Sequence, residues 1–182
     1  MEAPRYTRVA MLLHWLIALC LAGQFILGWY LEGIPRGVPD RGYFVNIHKS
    51  TGILIGLLVL FRIVWRLTHR PPAPPSYIST WQQKTASCMH ILLYVLMLLL
   101  PLTGYVASNF SKWGVKFFNT IERPPWGIDD KAVYAFFNQL HGLISWMLLV
   151  LVTLHVLAAL SHLVSGHKEV ILRMLPGPSS GR

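Results

Sequence analysis

Hydrophobic positions in this chain come in long runs, separated by short polar or proline-rich connections. The runs are Val9–Leu31 ("VAMLLHWLIALCLAGQFILGWYL"), Phe44–Leu67, Ser87–Ala107 and Val133–Val164. A bilayer's hydrocarbon core takes roughly 20 consecutive, mostly apolar residues per helix, so each run predicts a membrane-spanning helix. Transmembrane barrels instead use alternating segments of about ten residues, and these runs do not alternate. Arg5 and Arg8 precede the first run as they would a signal peptide. That run is longer than the usual apolar core of about 7–15 residues and three more follow it, so it reads as a retained span. The link "THRPPAPPSYISTWQQKTA" is proline-rich and reads as stiff and extended. No repeat of solenoid period is present. The expectation is one all-α domain over residues 1–182, a transmembrane four-helix bundle.

Histidines interrupt these apolar runs. The fourth carries His141, His155 and His162, and the others carry His14, His48 and His90. Fourteen residues separate His141 from His155, which returns to within roughly 40° of the same helix face about 21 Å along the axis. Seven more reach His162, on that face again and about 10 Å further on. Ionisable side chains inside a membrane usually face the bundle interior and mark a functional path; single packed histidines are the common alternative. With helices alternating in direction, each intramembrane histidine finds a counterpart at similar depth: His48 with His141 in the outer half, His14 with His155 in the inner half, and His90 level with His162 at the inner rim.

Few chemistries fit such pairs. Zinc wants three or four ligands converging on one point, with Cys or carboxylates assisting, and a proton relay favours Asp or Glu among the histidines. The spans contain no Asp or Glu. Haem iron takes two axial imidazoles from opposite faces, and its macrocycle suits the apolar interior of a helix bundle. Two b haems, one near each surface, would make an electron path across the membrane. His48 and His141 are the one good outer pair. The inner haem could take His14 or His90 on one side and His155 or His162 on the other; depth favours His14 and His155. His90 and His162 then stand at the inner rim, placed for propionates or a quinone carbonyl, or simply for headgroups.

The chain resembles the bacterial cytochrome b561 family of small di-haem inner-membrane proteins. The residues that carry the likeness are "YTRVAMLLHW", "NIHKSTGILIGLLVLFRIVWRL", "MHILLYVLMLLLPLTG" and "QLHG…TLHVLAALSHL…ILRMLP", in that order and across nearly the whole chain. The resemblance implies a four-helix bundle holding two b haems on the histidines at 14, 48, 141 and 155. It also implies, for some members, oxidation of periplasmic superoxide with reduction of ubiquinone. The third connection, "SNFSKWGVKFFNTIERPPWGIDDKAVY", departs from closer members by its length. Two other readings stay open: an electron-transfer subunit that links a dehydrogenase partner to the quinone pool, and a haem-free structural membrane protein.

Composition and charge add orientation. The chain is 54% hydrophobic and 13% charged, with mean hydropathy +0.49, against about 25% charged in ordinary soluble domains. Basic clusters flanking the first two spans (Arg5 and Arg8; Arg62, Arg66 and Arg70) favour cytoplasmic termini in a bacterial inner membrane. The net charge of +9 then finds its partner in the anionic leaflet, not in nucleic acid. Arg62 and Arg66, four apart on one face, suit haem propionates or snorkelling to headgroups. Lys49 has the same two readings at the outer face. With Lys112 and Lys116 it could also draw a small anion such as superoxide, although "SKWGVKFFN" reads better as an interfacial segment with Trp113, Phe117 and Phe118 in lipid. Pro101 is expected to kink the third span. Gly52, Gly56 and Gly142 suit close approach by a helix or a porphyrin. Trp29, Tyr30, Trp81 and Trp126 read as interface anchors, and Cys20 and Cys88 as small buried packing residues.

Overall fold

The computed structural model describes residues 5–35 and 37–177. Four long helices dominate: α1 (Arg8–Gly33), α2 (Pro39–Thr68), α3 (Thr80–Asn109) and α4 (Lys131–Val164). Each is long and apolar enough to cross a membrane and extends a few residues beyond the apolar run that predicts it. Local chemistry sets where they begin. The Thr7 hydroxyl caps α1 by accepting from the Ala10 amide, and Pro39 opens α2, where its missing N–H is no loss. Ser79 and Gln82 form a reciprocal capping box at α3. At α4 the Asp130 carboxylate accepts from the amides of Ala132 and Val133.

The helices pack in sequence order, α1 on α2, α2 on α3 and α3 on α4; among the described residues α1 and α4 have no close backbone approach. All four contribute to one central cluster, made of Ile17, Leu21, Ile55, Val59, Leu93, Leu96, Ile144 and Leu148. Outward faces are equally apolar, with Leu12, Leu19, Leu57, Ile91 and Leu157 all exposed. A helix hydrophobic on every side is stable only where the surroundings are apolar too, which here is lipid. Helix α3 continues through Pro101. The proline ring packs on Gly56, where an added Cβ would lie 3.2 Å from Pro101 Cγ, so Gly56 serves the close approach of α2 and α3. Cys20 is half-buried against the central cluster, but Cys88 is exposed on α3, contrary to the expectation of burial. It belongs to the first turns of α3, where every residue from Trp81 to Cys88 is exposed.

The third connection is more ordered than an interfacial loop. It forms an antiparallel hairpin, β1 (Val115–Phe117) with β2 (Ile121–Arg123). Phe118 and Asn119, both at positive φ, make its tight turn. Three side chains of α2 hold it down: Asn46 donates to Asn119 Oδ1 at 2.9 Å, Lys49 to the Gly114 carbonyl at 2.8 Å, and the Ser50 hydroxyl accepts from the Phe118 amide at 2.7 Å. Phe117 and Phe118 are half-buried, whereas Trp113 is 86% exposed. At the opposite end a short helix, α5 (Glu169–Leu172), folds back. Next to it Arg173, 7% exposed, donates to the carbonyls of Pro72 and Ala73 at 2.7 and 2.8 Å, and so ties the proline-rich link to the C-terminal segment.

Candidate functional site

Histidines from different helices meet at two levels. At the outer level His48 of α2 faces His141 of α4, with ring centres 6.1 Å apart and ring planes 73° apart. At the inner level His14 of α1 faces His155 of α4, at 6.2 Å and 69°. An imidazole nitrogen sits about 2 Å from a first-row metal ion, and about 1.1 Å from its own ring centre. Two imidazoles on opposite sides of one iron therefore have centres about 6.2 Å apart. Both pairs have that separation.

Further observations bear on the fit of a haem. His141 Nδ1 lies 2.9 Å from the Leu100 carbonyl and 3.4 Å from Thr103 Oγ1. A carbonyl only accepts, so Nδ1 carries the proton and Nε2 is left as the ligating nitrogen, the usual arrangement around a metal-bound histidine. His48 Nδ1 is buried with no partner, an unsatisfied group of the kind that often marks an incomplete site. A cavity of about 1260 Å³ opens at the outer face and is lined by His48, His141, Arg41, Lys49, Tyr134 and Asn138. A second, of about 610 Å³, shares both histidines and continues between apolar Phe25, Trp29, Met97 and Leu149. Space bounded by imidazoles and apolar side chains, between helices whose backbones stay apart, fits a flat apolar macrocycle. Among the described residues no three His, Cys, Asp or Glu side chains converge as a multi-ligand metal centre would require.

The inner level holds a third ring. His90 of α3 lies 5.6 Å from His155. His90 and His162, expected level with each other at the inner rim, have different ring neighbours: His162 is half-buried beside His167, at 6.5 Å, and His167 stacks on Tyr77 at 4.3 Å. Arg62 donates to the Tyr94 hydroxyl at 3.1 Å and to the Ala10 carbonyl, joining three helices next to His14 and His155. Arg66 stands close enough to act electrostatically on His90. At the outer face Lys49 turns inward under the hairpin instead of reaching headgroups. Lys116 pairs with Glu122 at 2.8 Å, and Lys112 with Asp129 at 3.9 Å. The hydrogen bond and charge of Lys116 hold the exposed Glu122 carboxyl below the usual carboxylate range. Gly142 has open space beside it.

Several residues of the site escaped the sequence reading. Gly104 lies against the His141 ring, and Gly28 is close to the ring of His48, whose Cε1 would be 4.0 Å from a Cβ there. Gln24 donates to the His48 carbonyl at 2.9 Å and to Thr51 Oγ1 at 2.7 Å. One signal for it was present, since Gln24 is the one amide side chain within the first apolar run. The glycines had none, because contact across helices leaves no trace in spacing.

Comparison with known proteins gives a consistent picture. A family model described as prokaryotic cytochrome b561 matches residues 5–177. The chain is 31% identical to cytochrome b561 homolog 2 of Escherichia coli (strain K12) over 183 residues, covering 97% of this chain and 94% of that protein. It is 27% identical to cytochrome b561 homolog 1 of the same organism over 178 residues, covering 94% and 97%. A Yersinia pestis protein named probable superoxide oxidase CybB is 27% identical over 180 residues, covering 94% and 96%.

Proposed function

The chain belongs to the prokaryotic cytochrome b561 family, and on that premise we propose that it conducts electrons across a bacterial inner membrane, with its termini in the cytoplasm, between two b haems held by His48 with His141 and His14 with His155. One observation carries this reading: two cross-helix imidazole pairs at different depths, each at the separation one iron would span. A b haem held by either histidine pair would supply one-electron redox chemistry.

The remaining roles belong to the chain's own side chains. The Leu100 carbonyl orients His141. Arg62 and Arg66 supply positive charge at the inner level, where propionates would need it. At the outer face the proposed donor is superoxide, in line with the name of the Yersinia pestis relative. Each superoxide gives up one electron and leaves as dioxygen. The outer cavity admits a small anion, and Arg41 and Lys49 line it. Lys112 and Lys116 contribute less attraction, since carboxylates offset them. At the inner face ubiquinone takes two electrons, from two superoxides, and two protons. His90 and His162 are the protonatable groups placed to deliver them.

A second reading has support from the outer surface. Trp113, Trp126 and Ile128 are exposed around the hairpin, which suits docking of a periplasmic or membrane dehydrogenase with this chain as its electron-transfer subunit. A pulse of superoxide applied to purified protein separates the two. Fast haem reduction that depends on no partner, followed by quinone-dependent reoxidation, supports the oxidase. Haem reduction only after a dehydrogenase is added supports the subunit. A pyridine haemochrome assay giving no haem, from cells well supplied with it, would overturn both readings and favour a structural membrane protein.

A further inference from the structure

Two buried polar atoms of opposite need lie on neighbouring residues at the outer level. His48 Nδ1 and Gln24 Oε1 are both shut away from solvent, and neither has a hydrogen-bond partner. The Gln24 amide is held at the turn of α2 that carries His48, since its Nε2 donates to the His48 carbonyl at 2.9 Å and to Thr51 Oγ1 at 2.7 Å. Those contacts dictate which way the amide faces. The His48 carbonyl can only accept, so nitrogen must point to it, and the oxygen is left aimed elsewhere and in need of a donor. Gly28, one helical turn beyond Gln24 on α1, lies against the His48 ring, so the ring faces the part of α1 from which Gln24 projects.

If His48 binds iron as proposed above, and does so through Nε2, its Nδ1 carries a proton and is the donor that Gln24 Oε1 lacks. Leaving both buried groups unpaired is costly, and pairing them with each other removes both costs. The outer pair would then be symmetrical, with the Nδ1–H of His141 donating to the Leu100 carbonyl and that of His48 donating to a side-chain amide. We infer that Gln24 is a positioning residue for the outer haem, which fixes the tautomer and ring orientation of His48 by accepting its Nδ1–H. An acceptor on that proton makes the imidazole more basic. A more basic axial ligand stabilises the oxidised iron, so Gln24 also sets the reduction potential of the outer haem, a property that responds to hydrogen bonds made by the ligand's far nitrogen.

The inference rests on His48 as an axial ligand, and redox titration of purified Gln24→Leu, Gln24→Glu and His48→Ala proteins tests the two ideas separately. His48→Ala should abolish one of two haem transitions and so identify the outer one. Gln24→Leu should keep both haems, raise the midpoint of that transition and leave the other in place, with an altered ferric low-spin EPR signal for the outer haem alone. Mere loosening of the site would let water in and shift the midpoint downward, so the direction distinguishes lost acceptance from lost packing. An unchanged or lowered midpoint in Gln24→Leu overturns the inference. Should that variant lose the outer haem, Gln24→Glu decides, because it keeps an acceptor oxygen: it must retain the haem with a midpoint below that of the unsubstituted protein, and loss or a rise overturns the inference. If His48→Ala leaves both transitions intact, the ligand assignment itself has failed.

Discussion

Replacing Gly104 by alanine puts a methyl carbon 3.0 Å from His141 Nδ1 and 3.1 Å from its Cε1. Carbon contacts are comfortable near 3.5–4.0 Å, so the imidazole must move by several tenths of an ångström. It is not free to do so, because Nδ1 is tethered to the Leu100 carbonyl at 2.9 Å. Overpacking of this kind costs about 1–3 kcal/mol, while alanine gains about 1 kcal/mol over glycine in a helix. The fold as a whole therefore loses little. The displacement, however, falls on the imidazole proposed to hold the outer haem, where 1.4 kcal/mol is a tenfold change in affinity. Gly104→Ala should weaken retention of that haem by about 5- to 140-fold, a range that follows from the overpacking cost. Gly23→Ala is the control, because Gly23 is also helical, is exposed and has no atom within 4 Å of where an added Cβ would sit; it should be neutral or slightly stabilising. Haem-to-protein ratio during competition with a soluble haem acceptor, followed by redox titration, reads the effect. A Gly104→Ala protein that keeps the outer haem with unchanged affinity and midpoint, as the control does, would refute this account of the His141 environment.

Other substitutions probe the rest of the site. Alanine at His141 should remove one haem transition and spare the other, and alanine at His14 or His155 should remove the transition that His141→Ala spares, both read by optical redox titration. His90→Ala should retain two haems; if it loses one while His14→Ala keeps both, then His90 is the inner ligand. Arg173→Ala leaves the Pro72 and Ala73 carbonyls without their guanidinium donor, a loss of about 1.5–3 kcal/mol for hydrogen bonds to a charged group, and should show as faster proteolytic cleavage in the proline-rich link. Lys116 depresses the Glu122 carboxyl, so their pairing supports the hairpin at and above the ordinary carboxylate value of 4.5 and fades as pH falls through the lowered one. Protease protection of the hairpin should therefore drop in that acid range in the unsubstituted protein and be insensitive to it in Glu122→Gln.

What the amino-acid sequence determined by itself was position along the membrane normal. Apolar runs of spanning length set four helices, and a rise of about 1.5 Å per residue set the depth of every histidine on them. Depth alone brought His48 to the level of His141 and His14 to that of His155. The choice of lateral neighbours was decided only by the tertiary structure. His90 faces His155, while His162 turns to His167, although both sit near the inner rim. Gly104 and Gln24 gain their roles from contacts across helices, and the third connection gains its hairpin from α2, through Asn46, Lys49 and Ser50. The physical reason is that hydrophobicity and helical rise act along one axis and are written in consecutive residues. Which face meets which neighbour depends instead on side-chain packing and hydrogen bonds between segments far apart in the chain, and no local pattern encodes those.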